Sequence, residues 1–396
     1  MLHVASDIYG DARKIDQVST ITDSGKKRVS VGCGNTPADD PDKPPCCGPP
    51  VSTGGGEISE KVPGFQGWLQ TPAGNVPRIS TKLGFNDHLG ACKARWGIGR
   101  MSYMVPPGLY ALGSPAATDT VVVTANYKMT YDIIRRTLHG RNIWLLVLET
   151  YGINVWCAAG KGTFGTCELV HRVTSSRLAE MVSHRRLILP ILGAPGVAAH
   201  EVAKRTGFTV SYGTIRADDL PVFLDNGMLT TTAMREMSFS TYERLILIPV
   251  ELVQALKSIV LAGGGLFLLF ALLNGTAAGV TAILAWSGAS LTGIVAGPLL
   301  LPWLPGRSFS VKGAVAGLAW GVLFCLLAGG STWSTAVLVA AFLALPAVSA
   351  FYTLNFTGCT PFTSRSGVKK EMRIALPAMG CALVLSVLIL LAGKFL

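Results

Sequence analysis

The residues best placed to do chemistry stand at 154–161, NVWCAAGK, where one cysteine sits among small apolar residues between a tryptophan and a lysine. A thiol in that setting is a buried structural residue, a nucleophile or a metal ligand. A phosphate-binding loop is excluded. It needs Gly five positions before its Gly-Lys pair and Ser or Thr after the Lys, whereas position 155 is Val and position 162 is Gly. Zinc and iron–sulfur sites need closely spaced ligands, and Cys157 and Cys167 stand ten residues apart. A cysteine hydrolase needs a paired base; His171 and His184 are available, but spacing couples neither to Cys157. Three local features favour a ligand over inert filler. Asn154 is a good N-cap, which puts Cys157 in the first turn of a short helix, where amide dipoles favour a thiolate. Ala158, Ala159 and Gly160 leave a helix face almost bare, so something broad and flat could approach it closely. Lys161 adds positive charge one turn on. A thiolate on such a surface suits axial ligation of a macrocyclic metal.

The remaining thiols, Cys33, Cys46, Cys47, Cys92, Cys325, Cys359 and Cys381, show no disulfide framework. The vicinal pair Cys46 and Cys47 reads as ordinary tail thiols or as a trap for a soft metal ion.

Something must position Cys157, and composition says where. The chain is 396 residues long, 49% hydrophobic and 14% charged, too apolar for an ordinary soluble protein of that length. The net charge of +11 is unevenly placed: residues from Lys257 onward carry eight cations and one anion, leaving +4 for the first 256. The basicity therefore belongs to the apolar third, where it sets membrane topology, and nucleic-acid binding is not supported.

Residues 1–60 are rich in Gly, Pro, Asp, Ser and Lys and read as a flexible tail. No cleavable signal peptide is visible at the start. Across 61–256, apolar runs at 120–126, 142–149, 186–193, 208–213 and 244–251 alternate with helical patterns. That order predicts a mostly parallel, Rossmann-like α/β sheet with helices on both faces, whose ligands bind beyond the carboxyl ends of the strands. Thr124, Asn126, Thr150, Gly152, Gly193 and Tyr212 lie on the loops so placed, and the cysteine motif follows directly from the second.

From 257 to 396 the pattern changes. No charge occurs between Lys257 and Arg307 or between Lys312 and Arg365, and five spans of bilayer length fit at 258–274, 278–303, 313–330, 333–354 and 374–393. Alternate connecting loops are basic, which predicts a cytosolic N-terminal domain and an external C-terminus in a bacterial or archaeal cytoplasmic membrane. The polar stretch from 355 to 373 lies on the cytosolic side, where it can dock against the α/β domain.

The run TANYKMTYDIIRRTLHGRNIWLLVLETYGINVWCAAGKGTFGT resembles the corrinoid-binding domain of two related families: the large subunit of the corrinoid iron–sulfur protein of the acetyl-CoA pathway, and the membrane-bound corrinoid protein of mercury methylation. The shared cap-helix pattern, Asn-(Val/Ile)-Trp-Cys-Ala-(Ala/Ser)-Gly-Lys, is matched at every position from Asn154 to Lys161, and the likeness extends over about 65–255. The five spans and the lack of a four-cysteine cluster motif favour the second family. The resemblance implies a corrinoid-dependent methyltransferase that passes methyl from cobalt to Hg(II). Its cofactor is a base-off cobalamin with Cys157 as the lower axial ligand of cobalt, and Asn154, Val155, Trp156, Ala158, Ala159, Gly160 and Lys161 shape the cap helix. A thiolate pushes electron density onto the metal and weakens the opposite cobalt–carbon bond. Also implied are a methyltetrahydrofolate-linked methyl donor and a ferredoxin-like partner with two four-iron clusters, which supplies electrons and carries mercury. A membrane-anchored carrier of one-carbon metabolism with another acceptor is the alternative.

Overall fold

A computed structural model describes residues 62–360 and 362–393 of the chain. Cys33, Cys46 and Cys47, and the reading of residues 1–60 as a tail, lie outside the described residues.

The first half forms a seven-stranded mixed sheet. Its elements in chain order are β1 (Phe65–Thr71), β2 (Gly74–Ile79), α1 (Phe85–Arg95), β3 (Gly108–Leu112), β4 (Val121–Ala125), α2 (Lys128–Thr137), β5 (Ile143–Leu148), α3 (Val155–Lys161), α4 (Thr166–Ser175), β6 (Arg186–Leu189), α5 (Ala199–Thr206), β7 (Thr209–Tyr212) and α6 (Leu220–Asp225). The strand order is β1-β2-β3-β5-β4-β6-β7. β5, β4, β6 and β7 are mutually parallel, with Val121 opposite both Trp144 and Leu187. β3 runs antiparallel to β5 and β1 antiparallel to β2.

The inner parallel strands β4 and β5 are nearly continuous apolar runs because both of their faces are covered, whereas the edge strand β7 is half-exposed. Alternate side chains enter two separate cores. Val121, Val123, Leu146, Leu148, Leu187 and Leu189 pack with α3, α4 and α5, whereas Val122, Leu145, Val147 and Ile188 pack with Tyr131 of α2 and Phe223 of α6. From β4 the chain steps outward to β5, then crosses back over β4 to β6. This reversal puts α2 on one face and α3–α4 on the other, and it creates a topological switch point at the carboxyl ends of β4 and β6.

Two expectations are corrected. The run at 244–251 is not a strand. It belongs to a turn of helix at Thr241–Leu245, opened by a Ser240–Glu243 capping box, and to the start of α7 (Ile248–Asn274). Pro249 would delete a ladder donor in a strand but costs nothing in a helical first turn. The run at 186–193 is strand only as far as Leu189; Pro190 ends it, and Ile191–Gly196 forms a 3₁₀ turn. β1, β2 and β3 were not anticipated, since the first hairpin is half-exposed and interrupted by Gly67, Pro72 and Pro77.

The second half is helical: α7, α8 (Thr276–Leu291), α9 (Phe309–Leu327), α10 (Thr335–Asn355) and α11 (Arg365–Ala392). All five are long and apolar enough to cross a membrane, α8 being prolonged by a π turn to Leu299. The halves touch where Gly97 abuts Val253 and where the Phe239 ring meets Phe356 and Phe362, with centroids 6.1 and 6.2 Å away. The stretch after Asn355 does therefore meet the α/β half.

Candidate functional site

α3 is seven residues long and begins directly beyond β5. The Asn154 side-chain oxygen accepts the backbone N–H of Cys157 at 3.0 Å, and Gly162 ends the helix in the left-handed conformation. Helical spacing divides the motif into two faces. Val155, Ala158 and Ala159 point into the core, whereas Trp156 and Cys157 are half-buried and Gly160 and Lys161 are exposed. The small residues thus do two different jobs. Ala158 and Ala159 let α3 seat tightly on the 3₁₀ turn, where a methyl group on Gly196 would fall 3.0 Å from the Ala159 Cα and closer still to the Phe164 carbonyl. Gly160, one turn from Cys157, has nothing within 4 Å of where its Cβ would be. The bare face of the helix is therefore narrower than expected, and it lies beside the sulfur.

The loop that launches α3 is clamped by Asn126, buried at the end of β4. Its Oδ1 accepts the backbone N–H groups of Thr150 and Gly152, both at 3.1 Å, and lies 2.8 Å from the Thr150 hydroxyl; its Nδ2 donates to Glu149 at 2.6 Å. Every polar atom of Asn126 is thus occupied within the protein, which makes it a positioning residue. Tyr151 and Gly152 both have positive φ, 55° and 70°. Glycine suits the second, because the Met101 carbonyl would lie 3.3 Å from any Cβ there. Left-handed backbone at an exposed tyrosine stores strain that the Asn126 and Glu149 hydrogen bonds hold in place.

A cavity of about 170 Å³ opens at the switch point. It is lined by Thr124 of β4, Leu189 and Pro190 after β6, Thr214 and Ile215 after β7, and Asn154, Val155 and Trp156 at the start of α3. The Thr124 Oγ1 is fully buried with no hydrogen-bond partner. A buried, unpaired hydroxyl beside an apolar cavity is costly in the free protein and fits a site that a ligand group or water completes. Of the strand-end residues expected at a site, Thr124 alone lines this cavity. Gly193 packs under the Phe164 ring, and the Tyr212 hydroxyl donates to the Val197 carbonyl at 2.9 Å, so both hold the seat of α3.

Burial pushes the Cys157 thiol above its ordinary range, with Lys161 and Arg100 pulling it down less strongly. This differs from the expected thiolate: in the free protein desolvation outweighs the first-turn dipoles and both cations. A soft metal cation at the sulfur reverses the balance, since a coordinating thiol loses its proton. No three His, Cys, Asp or Glu side chains converge among the described residues; Cys157 offers a single protein ligand. His184 lies before β6, at the opposite end of the sheet, with its ring on the Asp119 carbonyl at 2.9 Å. Arg100, absent from the sequence reading, sends its charge to Cys157 from a turn 57 residues upstream, which no local spacing announces.

The α/β domain that carries this site is similar in sequence to subunits of acetyl-CoA-synthesising complexes. Residues 99–224 match the family model described as the CO dehydrogenase/acetyl-CoA synthase delta subunit. Among curated proteins, the chain is similar to the acetyl-CoA decarbonylase/synthase complex subunit gamma of Methanopyrus kandleri, 32% identical over 123 residues, which are 31% of this chain and 26% of that one. The corresponding subunit of Methanocaldococcus jannaschii is 30% identical over 129 residues, 32% and 26% of the two chains. That of Archaeoglobus fulgidus is 31% identical over 128 residues, 32% and 27% of the two. The chain spans about a quarter of the length of these relatives, and the family match covers β3 to α6.

Proposed function

We propose that the chain is a membrane-held, corrinoid-dependent methyltransferase, with Cys157 as the lower axial ligand of cobalt and Hg(II) as the methyl acceptor. The observation that carries the reading is the placement of Cys157. It sits beside the open Gly160 on the first turn of a helix whose inner face is locked into the core, directly after the residues, Asn154 to Trp156, that line a switch-point cavity holding an unpaired hydroxyl. A cobalamin bound there supplies a cobalt-held methyl group, which thiolate ligation makes easier to release to an electrophile. The chain's own residues bind and orient. Asn154 fixes the direction of the Cys157 N–H, Lys161 and Arg100 offset the negative sulfur, and Gly160 admits a flat ring system. Trp156, Val155 and Thr124 line a small space in which a polar group of the cofactor would find the unpaired Thr124 hydroxyl. The cavity alone is far too small for a whole corrinoid, so a ring held by Cys157 would need the open side of α3 beside Gly160.

Support for mercury as acceptor comes from the five apolar helices joined to a domain of this type, as in the membrane-bound family. By the same resemblance the methyl donor is methyltetrahydrofolate-linked, and a ferredoxin-like protein with two four-iron clusters supplies electrons. The basic loops argue for a cytosolic α/β domain and an external C-terminus. The likeness to subunits of acetyl-CoA decarbonylase/synthase complexes favours a second reading, a methyl carrier of one-carbon metabolism whose acceptor is not mercury.

The test is the anaerobic ultraviolet–visible spectrum of the full chain reconstituted with cobalamin, wild type beside Cys157→Ala and Cys157→His. Thiolate-ligated features in wild type only, with methylmercury formed by wild type and lost in Cys157→Ala, are expected. Wild-type turnover by Cys157→Ala overturns the mechanism. Methyl transfer to other acceptors but not to Hg(II) selects the second reading.

A further inference from the structure

The membrane half contains a feature that methyl transfer does not use. α10 packs against both α9 and α11, and between α9 and α11 runs a groove of about 830 Å³. Its walls are apolar, mostly Ala with Phe342, Leu343, Pro346 and Met379, and its character changes at one end. There Arg307 and Lys370 reach the mouth, together with Glu371, Ser308 and Ser310. The Glu371 carboxylate is already engaged: it accepts the Ser308 hydroxyl at 2.6 Å, the Ser310 N–H at 2.7 Å and the Ser310 hydroxyl at 2.9 Å, tying α11 to the start of α9. Among the described residues neither Arg307 nor Lys370 makes an ion pair, and both are exposed.

The depth identifies the occupant. From Gly367 to Ala382, the groove follows α11 for fifteen residues, about 22 Å at 1.5 Å per residue. Half of a bilayer with its headgroup region is about 20–22 Å. A partner helix would need a seam running the full thickness, whereas this groove stops near the midplane. We propose that it holds an acyl chain of an anionic phospholipid whose phosphate lies between Arg307 and Lys370. In the proposed orientation this is a lipid of the cytosolic leaflet, where anionic headgroups and interhelical basic pockets meet.

Native mass spectrometry of the full chain tests the site. After delipidation in neutral detergent, the protein is offered phosphatidylglycerol or phosphatidylcholine with identical acyl chains, with soluble glycerol phosphate as competitor. Wild type is expected to retain phosphatidylglycerol preferentially, and Arg307→Gln with Lys370→Gln to lose about fivefold for each cation removed. Ala378→Phe, on an exposed position of α11 facing the groove, is expected to lower retention of both lipids. Equal retention of the two lipids by wild type overturns the proposal, as does displacement by glycerol phosphate alone, which would mark a free-anion site. Unchanged retention in both variants also overturns it.

Discussion

The side-chain oxygen of Asn154 and the backbone N–H of Cys157 are joined by a 3.0 Å hydrogen bond, so the residue that starts α3 also aims the sulfur it carries. A seven-residue helix has little stability of its own, and its first turn depends on this cap and on the seat beneath it. Asn154→Ala is expected to cost about 1 kcal/mol locally. Hydrogen exchange at the Cys157 amide should accelerate roughly fivefold, with Asn154→Ser restoring protection. Unchanged exchange in the alanine variant would show that the seat alone holds the turn.

Gly160 and Gly196 separate what the small residues of the site are for. Gly160→Ala meets no neighbour and should leave thermal stability equal or higher by up to about 1 kcal/mol through helix propensity. It should nevertheless weaken cobalamin retention, because a methyl group is added on the face carrying Cys157. Gly196→Ala should loosen α3 itself, lowering both stability and retention. If Gly160→Ala retains cobalamin as wild type does, the ring does not lie on that face.

Thr124→Val tests the cavity. Replacing an unpaired buried hydroxyl by an isosteric methyl removes a desolvation penalty, so the free protein should be as stable as wild type or more so. Loss of the hydroxyl should weaken cobalamin binding by about 1 kcal/mol, roughly fivefold, in equilibrium titration. Unaltered affinity would place the cofactor outside the cavity.

The segment leading to Arg100 is held by charge. Asp87 on α1 bonds Lys128 and Arg135 of α2, both at 2.6 Å, and Asp132 completes the network. Burial raises the Asp87 pKa, but hydrogen bonds from Lys128, the Gly84 N–H and Arg135 outweigh it and hold the carboxyl at about 2, below its ordinary 3.8. A depressed folded value means that the stabilisation is fully present above pH 3.8 and is lost as pH falls through 2. It amounts to about 1–2 kcal/mol after solvent screening. Hydrogen exchange of α1 amides between pH 4 and 2 should show this loss in wild type. Asp87→Asn should flatten this pH dependence and destabilise α1 at neutral pH by about 1–2 kcal/mol, since the amide, like the protonated carboxyl, leaves Arg135 with one carboxylate fewer.

Much of this was legible in the chain. β4, β5 and the five apolar helices announce themselves because burial on two faces, or in lipid, demands nearly unbroken apolar runs. The cap at Asn154 and the helix after it follow from local chemistry. The run at 244–251 misled because a stretch such as RLILIPVE satisfies either period, and only Pro249 together with the capping box decides between them. β1 and β2 were hidden because a half-exposed hairpin with glycine and proline carries little periodic signal.

What the sequence by itself determined is the cysteine, its helix and the kind of surface on each side of it, since these depend on neighbours within a few residues. Tertiary structure alone decided which small residues face inward, that Asn126 is saturated while Thr124 is left unpaired, and that Arg100 stands near Cys157. Those relations join the ends of separate strands and a distant turn, and their distances are set by the crossover from β5 over β4 to β6 rather than by separation along the chain.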